Sequence, residues 1–155
     1  MTAREVTVPG WPAPKGYANG RVGEGAALYV GGQIGWDERG AFPPGGLIPQ
    51  FARALDNVLA VVRAAGSAPE DIASMTVFVT SIDDYRAAQR ALGPVWRERM
   101  GRHFPAMALV AVTALVEPEA VVEIQAIASV APAAAAPAPA PVSPAPSAGA
   151  PGDPP

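Results

Sequence analysis

The apolar run at residues 121–130 restricts the fold more than any other segment of the sequence. Alternate residues of a β-strand point to opposite faces of a sheet, and here both sets include large apolar residues: Val122 and Ile124 belong to one set, Val121 and Ile127 to the other. A strand of this kind is typical of a sheet whose two faces are both covered. The chain therefore has to supply, or to recruit, a cover for each face.

Only two segments have the spacing of apolar residues that predicts a helix. The first covers residues 48–62 and is followed by Gly66, a residue suited to the left-handed turn that ends many helices. The second follows Ser81, a favourable N-cap, and contains Gly93-Pro94, which is expected to bend or interrupt it because proline lacks an N–H donor. Two helices cover one face of a sheet, so we expect a symmetric oligomer to cover the other.

The other apolar runs are short, rich in β-branched residues and bounded by turn residues, which indicates strands. The predicted strands occupy residues 6–8, 17–22, 27–31, 75–80, 107–113 and 121–130. The resulting order is β-β-β-α-β-α-β-β. This order predicts an α+β fold in which a mixed β-sheet carries the two helices on one face.

Composition changes abruptly at Ala131. The 25 residues from 131 to 155 include 10 alanines and 9 prolines, and Asp153 is their only charged residue. Such a segment offers little apolar area to bury and blocks regular helix. We therefore expect a folded domain over residues 1–130 and a disordered Pro/Ala-rich tail over 131–155. The tail is either a passive spacer or a docking segment for a partner that binds proline-rich sequence.

Several classes of protein are disfavoured by composition alone. The chain has no cysteine and one histidine, His103, so we expect no disulfide, iron–sulfur cluster or other metal site. Its formal net charge is −3 and Lys15 is its single lysine, which argues against binding to nucleic acid. The sequence has neither a long membrane-spanning apolar stretch nor, within residues 1–10, the apolar core of a signal peptide. We expect a cytoplasmic protein.

Three polar residues are candidates for chemistry. Glu123 lies in the middle of a predicted strand, where a charge is costly unless it is paired; it is either a structural carboxylate or a general acid/base. Tyr17 stands among turn residues and either packs or turns its hydroxyl toward a pocket. His103 precedes a strand and is either a loop residue or a base. The glycine-rich segment 31–35 is followed by turn residues, so it predicts a close-packed strand end and not a phosphate loop.

Taken together, motifs along almost the whole domain resemble the Rid family, also called the YjgF or endoribonuclease L-PSP family. The matching motifs are Gly16-Tyr17-Ala18-Asn19-Gly20, Tyr29-Val30-Gly31-Gly32-Gln33-Ile34, Gln50 with Leu55-Asp56-Asn57-Val58, Ala65-Gly66 with Asp71-Ile72, Thr76-Val77-Phe78-Val79, Phe104-Pro105-Ala106, and Val122-Glu123-Ile124-Gln125-Ala126-Ile127-Ala128. The tail lies outside the resemblance.

The resemblance implies a chorismate-mutase-like fold assembled as a homotrimer, with three sheets forming a central barrel and ligand clefts between subunits. Typical members hydrolyse imines or enamines derived from amino acids, which gives a 2-oxo acid and ammonia without a cofactor. Their catalytic tyrosine and glutamate match Tyr17 and Glu123, and the glutamate holds the attacking water. Backbone groups at a glycine-rich strand end, here Gly31 and Gly32, contact the ligand, and Gln89 is a further candidate ligand-binding residue.

Two departures from the family pattern bear on the substrate. Met107 stands where the family has an arginine that binds the substrate carboxylate, and Gly31 replaces the usual serine or threonine. Arg102 and His103 are near enough in sequence to supply the missing positive charge. The resemblance thus implies a divergent member that lacks the arginine, with Arg102, His103 and Met107 among its ligand-binding residues.

Two functions follow from these features, and a third is disfavoured. The first is a divergent imine or enamine deaminase, a hydrolase that releases ammonia by means of a water held by Glu123. The alternative is a non-catalytic Rid homologue that binds a small metabolite between its subunits. A ribonuclease activity, which one of the family names suggests, is disfavoured by the acidic charge and by the lack of a basic stripe.

Overall fold

The computed structural model describes residues 3–6, 8–13 and 15–131. Its elements are β1 (Arg4–Val6), β2 (Gly20–Val22), β3 (Ala26–Ile34), α1 (Leu47–Ala64), a 3-10 turn (Pro69–Asp71), β4 (Ile72–Val79), α2 (Ile82–Met100), β5 (Ala106–Ala111) and β6 (Val122–Val130). The predicted order of helices and strands and the α+β class are confirmed. Apart from Ala131, the predicted tail lies outside the described residues.

The main sheet has four strands in the order β3-β6-β4-β5. The apolar strand β6 is antiparallel to both of its neighbours, whereas β4 and β5 are parallel and are connected through α2. The sheet is therefore mixed, as the sequence predicts, with β5 at one edge. Strands β1 and β2 form a separate antiparallel pair.

Both helices pack on one face of this sheet, which we call the helix-covered face. Its residues on β6 are almost completely buried, because they meet the apolar sides of the helices. The core members with exposures of 0–3% are Ala54, Leu55, Val58, Leu59, Val62, Ile72, Met75, Val77, Val79, Met100, Val122, Ile124, Ala126 and Ala128.

The opposite face of the sheet has no cover from the described chain, and we call it the open face. It carries Tyr29, Phe78, Val110 and Ile127 together with Glu123, as the strand pairings place them. Tyr29 is 75% exposed and Ile127 is 38% exposed. The expected uncovered apolar face is thus present, and the trimer that would cover it stays a prediction.

The helix ends follow their sequence signals. After α1, Gly66 has a φ of 78°, and the backbone N–H of Ser67 donates to the carbonyl of Val62 at 3.1 Å, as in a Schellman motif. At the start of α2, the hydroxyl of Ser81 accepts from the N–H of Asp84 at 3.2 Å. Neither α1 nor α2 has the length and apolarity that crossing a bilayer requires.

The predicted interruption at Gly93-Pro94 is wrong, since α2 continues through Pro94 to Met100. Leu92, Trp96 and Met100 are buried on both sides of the proline and hold the helical turns around it in place. Gly93 also tolerates the restriction that a proline imposes on the preceding residue.

Some strand bounds also differ from the prediction. The first strand is Arg4–Val6 and not 6–8, and the second begins only at Gly20 because the preceding residues form turns. The strand predicted at 107–113 extends over Ala106–Ala111.

Candidate functional site

Glu123 lies across a β-bulge made of two glycines. The pairing of β3 with β6 shifts between Val30 and Gln33, so Gly31 and Gly32 together stand opposite one residue of β6, Gln125. A Cβ atom on Gly32 would collide with the Glu123 carboxylate, whereas one on Gly31 would meet open space. The bulge therefore leaves room for the Glu123 carboxylate beside the backbone of β3, and this close approach requires glycine at position 32.

Helix α1 fixes the strand ends on either side of this bulge. The side-chain amide of Gln50 donates to the carbonyl of Glu119 at 2.9 Å and accepts from the N–H of Val121 at 3.0 Å. Asn57 donates to the carbonyl of Ile34 at 2.9 Å. These bonds hold the start of β6 and the end of β3, which are the segments that carry Glu123 and the glycines.

The Glu123 side chain is half-buried and is not engaged in a structural pair. Glu5, Asp56, Asp83 and Glu98 form ion pairs, and none of the ion pairs between described residues includes Glu123. A structural ion pair within one chain does not account for the charge. The carboxylate is free to accept a proton or to hold a water molecule.

Tyr17 stands on a segment that is fixed along the edge strand β5. The N–H of Ala18 donates to the carbonyl of Pro105 at 3.0 Å, and the Arg21 side chain donates to the carbonyl of Phe104 at 2.8 Å. The tyrosine is 46% exposed. Together with residues of β4 and β5 it lines a cavity of about 340 Å³ beside the edge of the sheet, here called the edge cavity.

A second cavity, of about 290 Å³, lies between β5 and α2 on the helix-covered face, and we call it the helix-side cavity. Two predicted ligand-binding residues, Met107 and Gln89, line it together. Its wall includes Trp96 stacked on Phe104, with ring centroids 5.6 Å apart. The described residues that line it are Lys15, Gly16, Phe51, Val77, Tyr85, Gln89, Leu92, Gly93, Trp96, Phe104, Met107 and Leu109.

Arg102 and His103 do not line the helix-side cavity with Met107. The ring of His103 is buried, and because a carbonyl only accepts, its Nε2 atom must be the donor in the 2.8 Å contact with the oxygen of Ile72. Burial lowers the pKa of His103 and outweighs the opposing effect of that hydrogen bond. Arg102 is exposed and lines a different cavity beside Arg97. Within one chain, neither residue places a positive charge next to Met107.

The sequence patterns did not identify Lys15 as a ligand-binding residue, although it lines the helix-side cavity. Among the described residues that line the helix-side cavity, it alone is charged. Two sequence features could have indicated it: Lys15 is the single lysine of the chain, and it directly precedes the Gly16-Tyr17 motif. In the part of the chain that the structure describes, no three His, Asp or Glu side chains converge as a metal site requires.

The fold and the site together define a small α+β protein that presents a carboxylate, over a glycine bulge, on a sheet face without a cover. The family model described as Endoribonuclease L-PSP matches residues 11–130, and the chain belongs to this family, also known as the Rid or YjgF family. The resemblance of the sequence motifs is thereby confirmed.

Individual relatives agree with this assignment. The 2-iminobutanoate/2-iminopropanoate deaminase of Capra hircus is 33% identical over 102 residues, which cover 65% of this chain and 71% of the relative. The structure of the Rid-family protein YyfB from Yersinia pestis superposes with a TM-score of 0.71 at 26% identity, covering 84% of this chain and 100% of that one. TdcF of E. coli, solved with bound serine, gives a TM-score of 0.60 at 29% identity and covers 83% and 93%.

Proposed function

We propose that the chain is a divergent imine or enamine deaminase, which hydrolyses a compound derived from an amino acid and releases ammonia. The observation that carries the proposal is the Glu123 carboxylate, which lies over Gly32 on the open face without an ion pair in the described chain. A relative at 33% identity bears the name of a deaminase for 2-iminobutanoate and 2-iminopropanoate.

In the proposed reaction, Glu123 accepts a proton from a water molecule while the water oxygen attacks the imine carbon. The nitrogen of the resulting carbinolamine receives this proton from Glu123 and then a second proton, which its new hydroxyl group gives up. The C–N bond breaks as the C=O bond forms, and the nitrogen leaves as ammonia. The products are a carbonyl compound and ammonia, so the only co-reactant is water. Gly31 and Gly32 lack side chains, which lets a ligand approach the backbone N–H groups of the bulge. The Tyr17 hydroxyl would donate a hydrogen bond to the ligand.

The proposed cleft is formed between subunits of a homotrimer. In one chain, Glu123 on β6 is separated from the segment of Tyr17 by β4 and β5. Neighbouring strands are roughly 4.8 Å apart, so these two residues lie about 10 Å or more from each other across the sheet. A ligand small enough to be an amino-acid imine needs Tyr17 and Glu123 from different subunits.

A second function, binding without turnover, is favoured by Met107. Its thioether faces a cavity lined mainly by apolar and aromatic side chains. A methionine offers no charge for a substrate carboxylate, and a soft apolar lining suits a weakly polar metabolite. The net charge of −3 continues to disfavour a ribonuclease.

The test of the proposed reaction is ammonia release from freshly generated imines and enamines with wild type and Glu123→Gln. The amide keeps the shape of the side chain but cannot take the proton from water, so turnover should fall by about a hundredfold or more. Glu24→Gln, the same change at an exposed loop position, is the matched control.

Full activity in Glu123→Gln would remove this glutamate from the mechanism. No ammonia from any imine in the panel, together with calorimetric binding of one of these compounds, would support the binding protein in place of the enzyme.

A further inference from the structure

The helix-side cavity combines an apolar body with a single positive charge. Among the described residues that line it, Lys15 alone is charged, and Gln89 and the hydroxyl of Tyr85 supply the other polar side-chain groups. The rest of the surface is aliphatic, aromatic or glycine. A ligand that matches this lining has a charged group at one end and hydrocarbon at the other.

Lys15 is available for such a ligand. Within the described part of the chain the ion pairs are those of Arg21 with Glu5, Arg86 with Asp83 and Arg99 with both Asp56 and Glu98, so none uses the lysine. Its long alkyl stem can lie along apolar surface while the ammonium reaches the charged end of a ligand.

The backbone of Lys15 is also held beside the cavity. Gly16 follows it with a φ of 76°, a left-handed conformation that turns the chain there. The hydrogen bond from Ala18 to Pro105 then ties the segment to the start of β5. Lys15 and Gly16 therefore line the helix-side cavity, whereas Tyr17 lines the edge cavity.

The other cations of this region are committed or lie elsewhere. Arg21 donates to the carbonyls of Phe104 and Ala3. Arg97 and Arg102 line the neighbouring cavity and are absent from the lining of the helix-side cavity. Lys15 is thus the one described cation positioned to meet an anion there.

We propose that the helix-side cavity binds a small carboxylate with a branched or aromatic apolar body, whose carboxylate pairs with Lys15 and whose body contacts Met107, Leu109 and Trp96. This inference goes beyond the proposed function and does not depend on it, because the helix-side cavity and Glu123 lie on opposite faces of the sheet. A volume of about 290 Å³ suits a compound of this size.

The test compares two probes of nearly the same shape, 4-methylpentanoate and its neutral amide, by isothermal titration calorimetry at low ionic strength with the full chain. Wild type should bind the acid about fivefold more tightly, the order that a partly exposed ion pair contributes. Lys15→Met should bind both probes equally, and Lys15→Arg should keep the preference for the acid. Arg102→Met, a cation removed from the neighbouring cavity, should also keep it.

The proposal is overturned if wild type binds neither probe, binds both equally, or if the preference survives in Lys15→Met. Loss of the preference in Arg102→Met alone would assign the anion to the neighbouring cavity and would also overturn it. Glu123→Gln separates this result from the proposed function. An acid preference without ammonia release from any imine would contradict the deaminase alone, and ammonia release without an acid preference would contradict the role of Lys15 alone.

Discussion

The two faces of strand β6 differ in both sequence and surroundings, since Ile127 is the one large apolar residue of this strand on the open face. On the helix-covered face Ile124 is fully buried, whereas on the open face Ile127, three residues along the same strand, is 38% exposed. Every described polar group of interest for catalysis lies at or near the open side: Glu123, the glycine bulge and Tyr17. The helix-covered face therefore stabilises the single chain by burying apolar side chains. The open face carries the residues that would contact other subunits and the substrate in the proposed trimer.

The composition of the open face is also unusual for a sheet surface in contact with water. A sheet face that contacts only water normally carries mostly polar side chains. Here Tyr29, Val110 and Ile127 are exposed beside a carboxylate. Such a mixture is typical of a protein interface that surrounds a polar site.

The largest expected effect is on assembly. Wild type should be a trimer by light scattering, and Ile127→Asp should dissociate it, because the new carboxylate would be buried without a partner. Val116→Asp is the control, since Val116 is 94% exposed on a loop outside the sheet. A monomeric wild type at micromolar concentration would contradict the prediction that the open face is an interface.

A matched pair of truncations compares the faces directly. Ile124→Ala should lower the free energy of unfolding by about 2–5 kcal/mol, because it leaves a cavity in the core. Ile127→Ala should cost less than Ile124→Ala, because its side chain is partly exposed within one chain and only the subunit contacts of the predicted trimer add to its burial. Urea denaturation measures both. Equal losses would mean that the open face is packed as tightly as the core.

On the open face itself, Gly32→Ala tests the place of the carboxylate. The added methyl group would occupy the position of the Glu123 carboxylate and displace it. We expect ammonia release to fall by about a hundredfold, as a small misplacement of a reacting group can cause. Gly31→Ala is the control, because its added methyl group would meet open space. Its melting temperature shows how much stability changes when a glycine of the bulge is replaced without a collision. Unchanged turnover in Gly32→Ala would separate the bulge from the reaction.

The smallest expected effect concerns pH and the helix-covered side. Burial lowers the pKa of His103, so the folded chain keeps the ring neutral while the unfolded chain binds a proton below about pH 6.5. The stability contributed by the neutral ring is complete above this pH and is lost as pH falls toward the lowered pKa of the folded state. Denaturation above and below pH 6.5 should show a smaller decline in His103→Gln, whose amide still donates a hydrogen bond. An identical decline would assign the pH dependence to other groups.

Most of the covered side could be predicted from the sequence because its signals are local. Helical spacing, the glycine after α1 and the N-cap Ser81 depend on neighbours along the chain, and all three are confirmed. Proline is also a local signal, but the packing of Trp96 and Met100 around Pro94 is tertiary and outweighs it.

The candidate site was less predictable because its geometry depends on long-range contacts. The ring of His103 bonds to Ile72, 31 residues earlier, and no spacing rule indicates such a partner. The cavity that joins Lys15 to Met107 depends likewise on the bond between Ala18 and Pro105. Resemblance indicated which residue types belong to the site, while only the fold shows which of them share a cavity.

The position of β6 in the sheet has a consequence for how the chain folds. This strand lies inside the sheet and is the last of the described strands along the chain, and Ala26 of β3 pairs with Val130 at its end. Until β6 leaves the ribosome, β3 has no neighbour and β4 has one exposed edge. Strand pairings between segments so far apart in sequence form slowly, and until they form the unpaired strand edges of the incomplete chain are prone to aggregation. The four-stranded sheet can therefore be completed only when β6 is available, and a nascent chain that ends before β6 exposes unpaired edges on β3 and β4.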